Sequence, residues 1–171
     1  GSFYAIPETQ NFFMMFYRTD IFDELNLSPP NTWEDLYVVS DTLQRKNMQV
    51  GLPYTSLDAY SVVSQEMGTQ SVFPALLLQN GGNYYNDEQT KTALDSPTAI
   101  QAFKQWTDFY KQYGYPLYKD DFSQFRTGEM PICIQYYTFY NQLYTAAPEI
   151  RGMWEMTLIP GTAKEDGNID R

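Results

Sequence analysis

The sequence predicts a three-layer α/β domain in which helices cover both faces of a central sheet. Apolar, β-branched runs alternate along the chain with stretches of helical periodicity, which is typical of layered α/β folds. The length of 171 residues corresponds to one domain with its own hydrophobic core. Apolar residues make up 43% of the chain and charged residues 19%, which excludes a disordered acidic tail.

In the first half of the chain, strands are expected where apolar or aromatic runs are bounded by turn residues, at 4–6, 12–17 and 50–53. Helices are expected where apolar residues recur at helical spacing, at 20–25, 33–46, from Ser56 or Asp58 to about residue 65, and at 72–79. Thr32 precedes the second of these helices, and Asp35 stands three residues later. This spacing predicts a capped helix start.

The second half begins with the clearest helix signal, because Ser96 can cap and Pro97 suits the first helical position. The helix is expected over 97–113, with a buried face formed by Ile100, Phe103, Trp106, Tyr110 and Tyr113. Further elements are a helix over 122–127, a strand over 131–136, a helix over 138–146 and a strand over 154–159.

The two ends of the chain are polar or irregular. Gly1 and Ser2 resemble a scar left by cloning, and residues 164–171 are expected to be a polar loop. Both ends are therefore expected to be cut from a longer protein, with residues 3–171 forming one lobe.

Composition excludes several kinds of chemistry. The chain has 21 Asp and Glu against 11 Lys and Arg, so its net charge of −10 would repel a phosphate backbone, and no nucleic-acid partner is expected. It has no histidine and one cysteine, which excludes His-based triads, His metal sites and a disulfide framework. Cys133 lies in an apolar strand and is expected to be a buried, inert thiol. We expect no metal, no cofactor and no catalytic residue.

Aromatic residues are in excess, at 17% of the chain. One interpretation is a tyrosine-rich core and surface, and the other is a surface that stacks on sugar rings. Two alternative functions also remain. One is a glycoside-processing enzyme that uses Glu8, Glu129 or Glu155, because such enzymes need a pair of carboxyl groups. The other is a protein-interaction domain with a Tyr-rich face.

Candidate ligand-binding residues stand where predicted strands end or helices begin. In open α/β sheets, ligands bind outside the carboxyl ends of strands. The strongest candidates are Tyr137, Thr138 and Phe139, between the strand over 131–136 and the next helix. Weaker candidates of the same kind are Tyr54, Gln70 and Ser71.

Several runs, in the same order, resemble extracellular solute-binding proteins of carbohydrate ABC importers. This is family 1 of that class, which includes maltose-binding protein. The runs are YAIPETQ at 4–10, FYRTDIF at 16–22, PPNTWEDL at 29–36, LQNGG at 78–82, DSP at 95–97 and FRTGEMP at 125–131. The last strand, with Pro160 and Gly161, is similar to the family's return crossing between lobes. The family often places a tryptophan just after the strand that follows the FRTGEMP-like run. In this sequence that position falls within Tyr137, Thr138 and Phe139, so the tryptophan is replaced.

The resemblance implies a fold of two hinged α/β lobes that close on a sugar, with this chain as the second lobe. It implies a binding protein and not an enzyme, and it moves the stacking role to Tyr137 or Phe139. Glu8, Pro160 and Gly161 would lie at the hinge, and Gln10 would supply a polar contact there. The implied partners are a carbohydrate and the importer's permease subunits. The implied location is outside the cytoplasm, with a lipid anchor on the parent protein and none on this soluble fragment.

Overall fold

The computed structural model describes residues 12–53, 71–117 and 119–171. Within these residues a four-stranded sheet has the order β2-β3-β1-β4, formed by β1 (Phe13–Arg18), β2 (Val50–Gly51), β3 (Ile132–Tyr136) and β4 (Trp154–Thr157). The helices are α1 (Thr19–Glu24), α2 (Trp33–Gln44), α3 (Phe73–Gln79), α4 (Pro97–Lys111), α5 (Asp121–Thr127) and α6 (Phe139–Ala146). A 3-10 turn at Pro148–Ile150 precedes β4. The expected strand at 4–6 and the expected helix starting at Ser56 or Asp58 lie outside the described residues.

The sheet is mixed in direction. Strand β1 is antiparallel to both β3 and β4, and β2 is parallel to β3. The ends of β2, β3 and β4 therefore meet at the edge of the sheet where β1 begins. We call this the carboxyl edge, and it is where the sequence predicts the ligand site.

Hydrophobic cores lie on both faces of the sheet, which confirms the three-layer prediction. Side chains alternate along β1, so Met15 and Tyr17 join the core under α2, α3 and α4, and Phe16 joins the core under α5 and α6. Cys133 of β3 lies in the second core with no exposed surface. The prediction of a buried thiol is confirmed, and burial raises the pKa of this thiol well above the ordinary value, which disfavours the reactive thiolate.

The predicted helix starts are confirmed by their capping bonds. Thr32 Oγ1 accepts from Asp35 N at 3.1 Å, and Asp35 Oδ2 accepts from Thr32 N at 2.9 Å, which completes a capping box on α2. Ser96 Oγ accepts from Ala99 N at 3.2 Å at the start of α4.

The buried face of α4 is rotated from the predicted one, which is confirmed only in part. Trp106, Tyr110 and Tyr113 of the predicted face pack against the core as partly buried residues. Ala99, Ala102 and Phe109 face the core, whereas Ile100 is 45% exposed and Phe103 is 51% exposed. The small alanines let α4 pack closely on the neighbouring helix α3. The larger rings then lie at the rim, where Phe103 makes an edge contact with Phe73 at 6.1 Å between ring centres.

The prediction of a polar loop over 164–171 is confirmed for the turn at 164–168 and is wrong for Ile169–Asp170, which is a strand. Strands β5 (Thr162–Ala163) and β6 (Ile169–Asp170) form a hairpin, and Gly167 in its turn has φ +83. Gly167 follows Asp166, and an Asp-Gly pair is a strong hairpin signal. None of the helices in the described ranges is long and apolar enough to cross a bilayer.

Candidate ligand-binding groove

An open groove of about 440 Å³ lies at the carboxyl edge of the sheet, between the end of β3 and the starts of α5 and α6. Charged, amide and aromatic side chains from these three elements form its walls: Lys119, Asp120, Asp121, Phe122, Gln135, Tyr136, Thr138, Phe139 and Gln142. A second depression of about 510 Å³ lies between α2, α4 and β5, away from the strand ends. The first groove is the candidate ligand site, because strand ends and helix starts converge there.

Three side chains form a polar network in the wall of the groove. Lys119 Nζ donates to Asp121 Oδ1, and Gln135 Nε2 donates to Asp121 Oδ2 at 2.6 Å. The Lys119 side chain is 7% exposed and the Asp121 side chain is 13% exposed. We call Lys119, Asp121 and Gln135 the Asp121 network. The network extends to the backbone, because Tyr136 N donates to Gln135 Oε1 at 3.0 Å. Both carboxylate oxygens and the amide oxygen of the network therefore have partners.

Local sequence explains how Asp121 is positioned. Asp120 caps α5 by accepting from Ser123 N at 3.0 Å, which places Asp121 in the first helical turn, where negative charge is favoured. Gly51 of β2 leaves room beside it, because a Cβ at position 51 would lie 3.2 Å from Asp121 Oδ1 and 2.3 Å from Met130 Sδ. A side chain at position 51 would therefore crowd both the core and the network.

An aromatic pair stands at the carboxyl edge, next to the groove. The rings of Tyr137 and Phe12 stack with centres 4.7 Å apart and planes 11° apart. Tyr137 is 38% exposed and Phe12 is 47% exposed. Tyr137 N also donates to the carbonyl of Phe12 at 3.0 Å, which fixes the start of β1 against the end of β3. An ordered and partly exposed aromatic pair of this kind can stack on a sugar ring.

The three strongest predicted residues have different environments. Tyr137 and Thr138 are exposed, and Thr138 lines the groove. The expectation that Phe139 could take the stacking role needs correction, because its ring is 93% buried, with an exposed fraction of only 7%. It makes edge contacts with Phe16 at 5.2 Å and Phe125 at 6.0 Å. As the first residue of α6, it points toward the sheet and packs in the core.

Other predicted site residues lie elsewhere. Gln10, Tyr54 and Gln70 lie outside the described residues, as does the hinge candidate Glu8. Ser71 is half-buried just before α3 and is not among the residues that line the groove. The ligand-binding role of these residues stays a prediction.

Pro160 and Gly161, the other hinge candidates, are both buried and bonded to the rest of the domain. Gly161 N donates to Asn31 O at 2.9 Å, and Gly161 O accepts from Trp33 N at 3.2 Å. Gln79 Nε2 donates to Pro160 O at 3.1 Å. Their hinge role stays a prediction.

The carboxylates of the enzyme alternative are in ordinary environments where the structure describes them. Glu155 accepts from Tyr17 OH at 2.8 Å, and burial together with this bond raises the pKa of Tyr17 to about 12. Glu129 is exposed, and its carbonyl accepts from Gln49 N at 2.8 Å. Among the described residues, no group of three or more Asp, Glu or Cys side chains could hold a metal ion.

Sequence reasoning missed the Asp121 network and Gln142. A signal for Gln135 was available, because it is a polar residue at the end of an otherwise apolar strand, next to the predicted site. No comparable local signal existed for Lys119 and Asp121. They are 14 or more residues from Gln135 in the sequence, and only the packing of α5 against β3 brings them together.

Comparisons with known proteins agree with this architecture. A family model described as bacterial extracellular solute-binding protein matches residues 1–169. A comparison with curated protein sequences gives no match.

Solved structures share the fold. An ABC transporter solute-binding protein from Thermotoga lettingae with bound α-D-tagatose has 22% identity and a TM-score of 0.71, over 90% of this chain and 40% of that chain. Maltose-bound MalE3 of T. maritima has 18% identity and a TM-score of 0.71, over 93% of this chain and 40% of that chain. A solute-binding protein from Agrobacterium vitis with bound D-mannitol has 17% identity and a TM-score of 0.64, over 86% of this chain and 36% of that chain.

This chain thus spans about 40% of the length of the first of these structures. The family model, by contrast, covers nearly all of the chain, from the first predicted strand to the β5–β6 hairpin. The chain belongs to the family of bacterial extracellular solute-binding proteins.

Proposed function

We propose that this chain is the second lobe of a two-lobe protein that captures a carbohydrate outside the cytoplasm and delivers it to an ABC importer. The observation that carries the proposal is the groove at the carboxyl edge, which combines a partly buried polar network with the exposed Tyr137–Phe12 pair beside it. Sugars present hydroxyl groups at their edges and apolar C–H faces, so such a combination suits them.

The comparisons support this proposal in two ways. The family is one of extracellular solute-binding proteins. Three structures with the same fold contain tagatose, maltose or mannitol, and each is more than twice as long as this chain. These lengths leave room for a second lobe in each of those proteins, and we assign residues 3–171 to the second lobe of such a protein.

The proposed mechanism is closure of two lobes on the ligand. Hydroxyl groups of the sugar would bond to Thr138, Gln142 and the free acceptor positions of Asp121, and one ring face would stack on Tyr137. A facing lobe would cover the other side, and the closed form would be the one that the permease subunits bind. No bond in the sugar changes in this mechanism, so the proposed role is binding without catalysis. We also propose a lipid anchor on the two-lobe protein.

A ligand screen tests the proposal. Thermal unfolding of the two-lobe protein should be measured with a panel of sugars and polyols that includes maltose, tagatose and mannitol. At a concentration 100 times the Kd, a ligand stabilises the folded state by about 2.7 kcal/mol. This stabilisation should raise the Tm of the two-lobe protein by several degrees. Amino acids and peptides serve as comparison ligands. Stabilisation by peptides and by no sugar would overturn the carbohydrate assignment.

A further inference from the structure

We propose that the Asp121 network makes the groove selective for neutral saccharides over anionic ones. The inference rests on the proposed function and adds to it the charge class of the ligand. Asp121 is the residue that determines this selectivity, because its carboxylate is paired with the ammonium group of Lys119 and neutralises it.

The ammonium group of Lys119 is already paired within the wall of the groove. Among the described residues that line the groove, Lys119 is the only one with a positive charge, and its Nζ donates to Asp121 Oδ1. Its side chain is 7% exposed, so it is held in the wall and does not extend into the open space. Gln135 holds the other carboxylate oxygen of Asp121, which fixes the orientation of the carboxylate. An ammonium group held in this way offers little attraction to an incoming carboxylate or phosphate.

The charged side chains that line the groove carry a net negative charge. The described lining contains two carboxylates, Asp120 and Asp121, and one ammonium group, Lys119, so its formal charge is −1. The chain as a whole carries −10. An anionic ligand would therefore meet a repulsive local potential and would also lose its hydration.

A neutral saccharide meets no such penalty. An ionised carboxylate has about four acceptor positions on its two oxygens, so Asp121 can accept from ligand hydroxyls besides its present partners. Thr138 and Gln142 add a hydroxyl and an amide, which both donate and accept. The lining thus satisfies hydroxyl groups without needing a counter-charge in the ligand.

The test compares matched neutral and anionic probes by calorimetry on the two-lobe protein. The pairs are D-mannitol with D-gluconate, and maltose with maltobionate. We expect the neutral member of at least one pair to bind about tenfold or more tightly than its anionic counterpart at low salt. In Asp121→Asn, Lys119 loses its charged partner, and we expect this ratio to fall about fivefold or more.

Asp41→Asn is the matched control. It makes the same change in net charge on the exposed side of α2, outside the groove lining, and it leaves the pair of Lys119 and Asp121 intact. We expect its neutral-to-anionic ratio to stay within about twofold of wild type, since only a bulk charge differs. An equal effect of both variants would overturn the role of the network.

The double variant Lys119→Gln with Asp121→Asn gives a second test if Asp121→Asn alone does not fold. The two opposite charges cancel in the wild-type pair, so their joint removal leaves the formal charge of the groove at −1 and should keep the neutral-to-anionic ratio within about twofold of wild type. A tenfold change in this ratio would show that the pair does not act as a neutral unit and would overturn the inference. Equal or tighter binding of the anionic probes by wild type would overturn it while leaving the proposed function standing. Absence of binding by all four probes, together with a negative sugar screen, would overturn both.

Discussion

Trp33 on α2 donates its indole N–H to Gln79 Oε1 on α3 at 2.7 Å, inside the hydrophobic core. Trp33 is 0% exposed and Gln79 is 5% exposed. The amide nitrogen of Gln79 donates in turn to Pro160 O at 3.1 Å, so one buried side chain joins two helices to the segment that follows β4. Buried polar groups that are all paired hold neighbouring elements in one arrangement.

Replacement of Gln79 should therefore be costly. Gln79→Leu leaves the Trp33 N–H and the Pro160 carbonyl buried without their partner, and we expect a loss of about 2–4 kcal/mol in the free energy of unfolding. Chemical denaturation measures this loss. Gln101→Leu, on the exposed side of α4, is the matched control and should change stability by no more than about 0.5 kcal/mol. A similar small change in Gln79→Leu would show that the bonds contribute little.

The rotation of α4 leads to a second prediction. Phe109 is fully buried and packs against Trp33 and Tyr115 at 5.6 Å between ring centres, whereas Phe103 is half exposed. Phe109→Ala should cost about 3–5 kcal/mol because it leaves a cavity in the core. Phe103→Ala should cost clearly less, about 1 kcal/mol, because its ring already contacts water. Chemical denaturation of both variants measures which one loses more free energy of unfolding. Equal losses would contradict the burial of Phe109 and the exposure of Phe103 on this helix.

Alkaline pH should destabilise the fold. Burial raises the pKa of Tyr37 to about 12, and burial with the bond to Glu155 raises the pKa of Tyr17 to about 12. Burial also raises the pKa of Tyr115, whose hydroxyl bonds to Ser40. A phenol with a raised pKa in the folded state stabilises the fold fully below about pH 10, its unfolded pKa. This contribution falls as the pH rises from about 10 toward 12.

Denaturation at several pH values between 8 and 11.5 tests this expectation. Stability should be flat with respect to these groups up to about pH 9.5 and should then fall, because the unfolded phenols ionise first. Tyr37→Phe should show a shallower fall than wild type. Tyr85→Phe is the matched control, since the ring of Tyr85 is 61% exposed. An unchanged slope in Tyr37→Phe would contradict the contribution of this residue.

Local patterns predicted much of the fold. The capping residues Thr32 and Ser96 correctly marked helix starts, because a cap depends on three or four consecutive residues. The face of α4 depended on its neighbour α3, and helical spacing alone could not choose between the Phe103 face and the Phe109 face. The Asp121 network was missed for the same reason, since its members meet only after α5 packs against β3.

The position of the groove was predictable because Tyr137 and Thr138 follow a strand, and strand ends collect ligand contacts. The burial of Phe139 in the core could not be predicted, because a helix that begins at Phe139 can turn this ring either toward the groove or toward the sheet. Its neighbours Phe16 and Phe125 come from β1 and α5, and only the folded structure shows that they enclose its ring.

The last prediction concerns Tyr137, the exposed ring at the carboxyl edge. In the two-lobe protein, Tyr137→Ala should weaken sugar binding by about 1–3 kcal/mol, the size of a lost aromatic anchor. Tyr144→Ala is the matched control, because Tyr144 is 50% exposed on α6 and contacts Tyr140 and Arg151 instead of Phe12. Calorimetry measures both affinities, and denaturation checks that the loss of the Phe12 contact has not unfolded the variant.

This 171-residue chain, measured alone, should bind the same sugar weakly or not at all. It would make about half of the contacts, yet association still costs translational and rotational freedom, about 4–15 kcal/mol in total. Unchanged affinity in Tyr137→Ala would remove Tyr137 from the site. Tight binding by the chain alone would contradict capture between two lobes, because closure by a second lobe would then add nothing. Weak binding by the chain, lost in Tyr137→Ala and kept in Tyr144→Ala, would place the sugar at the carboxyl edge even without the facing lobe.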